Sequence, residues 1–331
     1  MTEIIPGIYQ LRVAIPVSPL AYVNAYLVRG NKGHLLVDTG WNSEESFDSL
    51  KKQLVEIGVK REDISQIVVT HVHPDHYGLA GGLRQLSRGT LALHHLEKGF
   101  IESRYVNPDK LLKQIADWLS ANGTPADELT YLPTASMKLK KFVIPSSPDI
   151  NLRGGEIISS GDFHFQVIWT PGHSRGHIAL YEPRQKILLS GDHILPNITP
   201  NISRHPQSSA NPLGDYLASL NEIRKLDIAL VLPGHEHTFS NTRQRIDEII
   251  QHHRQRNSQI LESIKGESKT AYGIATSVIW KQDTGGLGWN RLSPWDKRMA
   301  ITETLAHLEA MRHQRKVSKS VRDSVIYYQA T

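Results

Sequence analysis

Three histidines and an aspartate stand within the six residues that open on His71 in the stretch Thr70-His71-Val72-His73-Pro74-Asp75-His76-Tyr77-Gly78. Imidazole and carboxylate together form a ligand set for zinc or another borderline divalent cation. His71 and His73 are two apart, so in an extended segment they point the same way. Asp75 and His76 can then turn toward a second ion. The chemistry such a pattern serves is metal-assisted hydrolysis.

Ligands need rigid elements to hold them, and the sequence supplies candidates. Ile67-Val68-Val69-Thr70 reads as a buried strand that delivers His71. Val167-Ile168-Trp169-Thr170-Pro171-Gly172 delivers His173, Leu188-Leu189-Ser190-Gly191 delivers Asp192, and Leu230-Val231-Leu232-Pro233-Gly234 delivers His235. Four apolar strands that each end in a ligand-type residue place a site at one edge of a sheet assembly.

The wider pattern alternates short β-like runs with helical stretches. Strands are expected at Ile8–Ile15, Tyr22–Arg29, His34–Asp38, Gln66–Thr70, Thr90–His94, Phe163–Thr170, Ile178–Tyr181, Lys186–Ser190 and Ile228–Leu232. Asn42-Ser43-Glu44-Glu45 reads as a capped helix start, continued at helical spacing by Phe47, Leu50, Leu54 and Ile57. Further helices are expected over Tyr77 to Leu86 and Leu213 to Leu226. This is an α/β pattern of two sheets covered by helices.

Residues 96–150 interrupt the rhythm. They carry a helix near Pro108–Ala121, scattered Phe100, Tyr105, Trp118, Tyr131 and Met137, and a basic cluster of Lys138, Lys140 and Lys141. An insertion of this length reads as a lid or binding element. From residue 241 the chain turns mainly helical. A long amphipathic stretch, helices at Thr270–Ile279 and Asp296–Gln314, and a ribbon at Val317–Tyr328 follow the order of a winged-helix module. The expected division is thus 1–240 and 241–331.

The chain has 331 residues, no cysteine and a net charge of +5. Disulfides, thiolate ligands and thiol nucleophiles are excluded. No apolar run approaches the ~20 residues of a membrane span. The N-terminus shows no secretory signal, and a cytoplasmic location without membrane partners is expected. Residues 241–331 hold 15 Lys+Arg against 9 Asp+Glu, so the tail carries the whole basic excess. It is either a docking surface for an anion such as RNA or a solvated helical surface.

The motifs His71-Val72-His73-Pro74-Asp75-His76, Thr170-Pro171-Gly172-His173-Ser174, Ser190-Gly191-Asp192 and Pro233-Gly234-His235, with Leu36-Val37-Asp38-Thr39-Gly40 before them, resemble the metallo-β-lactamase superfamily. The resemblance covers about residues 1–240. It implies an αββα sandwich with a site for two divalent metal ions, zinc first, with iron or manganese as alternatives. By carry-over, His71, His73 and His173 hold the first ion. Asp75, His76 and His235 hold the second, and Asp192 bridges both. Asp75 and Asp38 are expected to serve catalysis, Asp75 by aiming a bridging hydroxide and Asp38 by orienting the site.

Fold alone does not name a substrate. The bridging Asp192 and Thr170-Pro171-Gly172-His173 look like glyoxalase II and related thioester hydrolases. The tail, through Thr302-Glu303-Thr304-Leu305-Ala306-His307-Leu308-Glu309, resembles an appendage found on both presumed thioesterases and an endoribonuclease. The expected reaction is hydrolysis of a thioester or ester, with an acyl-CoA or glutathione-thioester-like substrate. Alternatives are cleavage of single-stranded RNA and iron-dependent sulfur dioxygenation. His193, Arg204 and His237 are candidate substrate contacts, and His193, His237 and His177 are candidate proton donors. His205 is a further candidate for an anionic group. The lysines at 138, 140 and 141 are candidates for the phosphates of an acyl-CoA.

Overall fold

Alternation along the strands decides the architecture. In β3 (Tyr22–Val28), Val23, Ala25 and Leu27 enter one apolar cluster while Tyr26 and Val28 enter another. In β10 (Ile178–Glu182), Ile178 and Leu180 face inward while Ala179 and Tyr181 face the opposite layer. A strand apolar on both faces must be covered on both. The computed structural model, which describes residues 1–16, 20–280 and 286–331, does this with two sheets packed face to face and helices outside each.

The first sheet runs in sequence order: β1 (Thr2–Ile5), β2 (Ile8–Ala14), β3, β4 (His34–Val37), β5 (Ile64–Val68), β6 (Thr90–His94) and β7 (Ile150–Leu152). Its early strands pair antiparallel, and β4 to β7 pair parallel. The second sheet has the order β12 (Leu230–Pro233), β11 (Ile187–Gly191), β10, β9 (Phe163–Trp169) and β8 (Ile157–Ser160). Between the sheets lie Ile8, Tyr26, Val37 and Val68 against Phe165, Val167, Leu189 and Leu232.

Helix α1 (Glu44–Glu56) covers the outer face of the first sheet with Leu50 and Leu54. Ser43 caps it, accepting the Ser46 N–H as the sequence leads one to expect. The helix expected over Tyr77 to Leu86 is split into α2 (Pro74–Tyr77) and α3 (Ala80–Ser87). The break sits at Gly78, where a Cβ would come within 2.3 Å of the Phe142 carbonyl. Strands β1, β7 and β8 were not expected. Each is an edge strand, with exposed Ile150 and Ile157 that blunt the apolar signal.

The insertion folds as α4 (His95–Ile101), a π-helical turn at Glu102–Val106, α5 (Asp109–Ala121) and α6 (Ala126–Leu129). Then come α7 (Pro212–Arg224), α8 (Thr242–Ser263), α9 (Ala271–Ser277), α10 (Pro294–His313) and the hairpin β13 (Val317–Arg322) and β14 (Val325–Ala330). The order helix, helix, helix, ribbon is present.

The sequence changes character at residue 241, but the apolar cores run across that point. Ile246 and Ile249 of α8 and Ala306 and Ala310 of α10 pack with α7 against Ala179, Leu188 and Val231 of the second sheet. Farther along, Ile260, Ile301 and Leu305 share a core with Leu119 and Leu132 of the insertion. The tail therefore completes the outer layer of the second sheet and anchors the insertion. None of the helices among the described residues is long and apolar enough to cross a membrane.

Candidate metal centre

The loops that follow β5, β9, β11 and β12 meet at one edge of the sandwich. Thr70 leaves the expected strand because its N–H turns to the Asp38 carboxylate at 2.8 Å. His71 Nε2 and His73 Nδ1 then lie 2.8 Å apart, and His173 Nε2 lies 3.0 Å from the same His73 nitrogen. A second group forms beside it. His235 Nε2 is 3.2 Å from Asp75 Oδ2, and His76 Nε2 is 3.3 Å from Asp192 Oδ1. Asp192 lies between them, with Oδ2 3.6 Å from His173 Nε2 and Oδ1 3.6 Å from His235 Nε2.

The far side of each ring decides what faces the centre. His76 Nδ1 meets Asp38 Oδ2 at 2.7 Å. His173 Nδ1 meets the Asn201 carbonyl at 2.9 Å, and His235 Nδ1 the Tyr22 carbonyl at 3.2 Å. Those acceptors place the proton on Nδ1. Thr70 Oγ1 donates to Asp38 and so accepts from His71 Nδ1 at 3.1 Å. Four rings thus present a bare Nε2 lone pair inward, and His73 offers Nδ1. Lone pairs facing one another at about 3 Å repel unless a cation lies among them.

Burial makes the same case. His76 Nε2, His235 Nε2 and Asp192 Oδ1 are buried without a hydrogen-bond partner, a costly state that a bound cation would relieve. Three sets of donor atoms are close enough to share an ion: His71, His73 and His173; His71, His76 and Asp192; Asp75, His76 and His235. Burial and the neighbouring histidines push His71 well below the usual imidazole range. Burial also lowers His76, but Asp192, Asp38 and Asp75 outweigh it and raise its pKa well above the ordinary value. Burial raises Asp75, but His76 and His235 prevail and hold its carboxyl at about 2. The field around His76 is strongly cation-attracting.

Several positioning groups come from elsewhere. Asp38 adopts φ 60°, a left-handed conformation that Asp tolerates better than most side chains. Glu97, fully buried on α4, accepts the Val72 N–H at 3.0 Å, the Gly176 N–H at 2.7 Å and the Ser174 hydroxyl at 2.5 Å. One carboxylate thus ties the loop carrying His71 and His73 to the loop carrying His173. Asn24 and Tyr26 reach across the sandwich to the Pro233 carbonyl and fix the approach to His235. The sequence reading missed Glu97, and only its placement beside a histidine pair at the end of a strand hinted at it.

The proposed proton donors and substrate contacts fare differently. His177 accepts the Asp192 N–H on Nε2 at 3.1 Å and meets Thr170 Oγ1 through Nδ1 at 2.7 Å, so both nitrogens are spent on positioning. His193 is fully buried behind Asp192, beside the Tyr216 ring, and burial presses it down to about 3. It cannot reach a substrate from there. His237 is exposed, two residues beyond His235, and forms no hydrogen bond or ion pair with the cluster among the described residues. Arg204 spends its Nη1 on the His205 carbonyl and the Ser208 hydroxyl and does not line the cleft. Lys140 donates to the Val106 carbonyl, Lys141 lies over Phe142, and none of the three lysines lines the cleft either.

That cleft opens beside His173 and is lined by Phe100, Arg104, Ser174, Arg175, His205 and Gln207, among others. A cavity of about 220 Å³ lies elsewhere, under α1, and contains none of the clustered histidines or aspartates. Asp75 at 19 % and His173 at 12 %, with His73 also partly exposed, form the open side of the centre.

Comparison with known proteins agrees with the geometry. The sequence profile of the Metallo-beta-lactamase superfamily matches residues 19–235. The probable metallo-hydrolase YqjP of Bacillus subtilis (strain 168) is 25% identical, over 96% of this chain and 96% of its own. The acyl-coenzyme A thioesterase MBLAC2 of Homo sapiens is 31% identical over 66% of this chain and 75% of its own. A metallo-beta-lactamase family protein from Thermus thermophilus superposes with a TM-score of 0.84 at 30% identity, over 99% of this chain and 100% of that one.

Proposed function

Because the chain belongs to the metallo-beta-lactamase superfamily and is a metal-dependent hydrolase of that fold, we propose that it cleaves thioesters at a two-ion centre, with an acyl-CoA or glutathione-thioester-like substrate. His71, His73 and His173 would hold one divalent ion, zinc by the chemistry of the donor set, and Asp75, His76 and His235 the other. Asp192 presents one carboxylate oxygen to each group. Ions held there would supply hydroxide near neutral pH and polarise an acyl oxygen.

The chain's own residues do the rest. Asp75 is the most open carboxylate of the centre, stays ionised at neutral pH, and can accept a hydrogen bond from an attacking water and so aim it. Asp38, His177 and Glu97 keep the donors in register without touching substrate.

The observation that carries the thioester reading is that, among the described residues, no histidine free to give up a proton lines the cleft. Among the described residues, His193 is buried away and His177 is fully engaged. His205 lines the cleft but is pressed down to about 3, by burial first and then by Arg104, Arg298 and Arg204. An amine or alkoxide leaves poorly without a proton, whereas a thiol of pKa about 8.5 leaves as thiolate. The acyl-CoA thioesterase among the relatives supports the same reading.

The test is metal content followed by turnover of acyl-CoA and S-acylglutathione thioesters, a β-lactam and a single-stranded RNA. Thioester cleavage that disappears together with metal in His73→Ala is expected. Thioester cleavage that survives metal loss, or RNA as the sole substrate turned over, would sink the proposal.

A further inference from the structure

The cleft beside His173 holds a guanidinium that forms no ion pair among the described residues. Arg104 projects from the π-helical turn of the insertion. Its Nε donates to Gln207 Oε1 at 2.9 Å, and its Cζ lies 4.6 Å from the centre of the Phe100 ring. These contacts hold the plane of the fork in place. Its two terminal nitrogens have no acceptor, and no carboxylate pairs with Arg104, among the described residues.

Nearby charge adds to this one. Arg298, largely buried, gives its Nη1 to the Leu132 and Pro133 carbonyls, also without a carboxylate partner among the described residues. Asp215 also lines the cleft, where Ser209 donates to its carboxylate; it is not within ion-pair distance of Arg104. Arg298 stands behind the cleft wall rather than on it, so Arg104 is the fixed guanidinium that faces the cleft, set up to take an anion in bidentate fashion, which a lysine would not match.

Resting on the hydrolase reading above, we infer that Arg104 is a substrate-recognition residue that binds a carboxylate or phosphate on the leaving-group arm of the substrate. The arm would lie along the His173 side of the centre. The polarity of the cleft wall then selects thiols that carry an anionic group, and neutral thioesters bind without help from Arg104.

Three thioesters with the same acyl group test this on the metal-loaded protein: acyl-CoA with its phosphates, S-acylglutathione with its carboxylates, and neutral S-acyl-N-acetylcysteamine. Arg104→Ala is expected to raise KM about tenfold or more for at least one anionic substrate. It should leave kcat within about twofold and the neutral substrate unchanged. The substrate affected identifies phosphate or carboxylate as the group bound. Arg104→Lys should fall between, since it keeps the charge but loses the fork. Unchanged KM for all three, or an equal rise for all three, overturns the inference. Should the wild-type protein cleave no thioester, the hydrolase reading falls separately. Calorimetric titration with inorganic phosphate and with acetate then decides the subsite. A tenfold loss of either in Arg104→Ala keeps it, and equal binding to both proteins removes it.

Discussion

His173 and Glu303 are joined through a single residue. The Asn201 carbonyl receives His173 Nδ1 at 2.9 Å, and the Asn201 amide donates to Glu303 Oε2 at 2.8 Å. Next to it, Ser203 and Thr302 share a hydroxyl contact of 2.9 Å, and the Arg204 N–H donates to the Thr302 carbonyl at 2.9 Å. The last long helix therefore holds the loop that orients a ring of the centre, although it lies far down the chain from the metal motifs.

Glu303→Ala should loosen that loop. Metal affinity is expected to fall about tenfold, because the partners that orient a metal-bound imidazole are worth that much. Glu303→Gln keeps an acceptor for Asn201 and should stay near the wild-type protein. Competition with a metal chelator reads both. Equal affinity in all three proteins would show that the helix only packs.

Asp38 should matter more. It receives the Thr70 N–H and hydroxyl and the His76 Nδ1 proton. Asp38→Asn keeps a side chain that tolerates the left-handed backbone, yet weakens the acceptor for His76. Asp38→Ala removes the acceptor and strains the backbone. A loss of about 10–100-fold in metal affinity is expected for Asn and more for Ala. Chelator competition and thermal unfolding together separate site damage from misfolding.

Gly234 has a steric duty. A Cβ there would lie 2.5 Å from Asp192 Oδ1 and 2.8 Å from His76 Cε1. Gly234→Ala should displace the shared carboxylate, and metal analysis should find fewer ions per chain in a protein that still folds. Gly99→Ala is the control. It sits within α4 with nothing within 4 Å of its Cβ, and should be neutral or stabilise by about 0.5–1 kcal/mol. Full metal content in Gly234→Ala would contradict the packing argument.

Acid should destabilise the fold through His253. Burial foremost, then His252 and Arg256, press it down to about 3. The unfolded chain takes a proton near pH 6.5 that the folded chain refuses until about 3. Stability from this residue is therefore complete above about pH 6.5 and is lost as pH falls toward 3. The slope is about 1 kcal/mol per pH unit. Urea unfolding at pH 7 and pH 5 measures it, and His253→Gln should flatten the difference. An unchanged difference would place the acid sensitivity elsewhere.

The sandwich and the clustered donors were legible because each is a local pattern. An apolar strand followed at once by His71, His173, Asp192 or His235 announces itself within a few residues, since a strand end fixes where the next side chain goes. Edge strands such as β7 and β8 were not legible, because half-exposed strands carry weak alternation. Proximity in sequence did not put His193 on the cleft wall. His193 follows Asp192 directly, yet one residue of strand-end geometry turns it into the core.

The sequence by itself determined the superfamily, the layered αββα order and the donor types, since these rest on residue identity and short spacing. Only the tertiary structure decided which groups hold those donors and which line the cleft. Glu97, Asn201, Glu303 and Arg104 are ordinary side chains in ordinary helices and loops. Their roles arise from contacts between distant segments, brought together by cores that cross residue 240. No local periodicity encodes such contacts, because they depend on how whole layers pack.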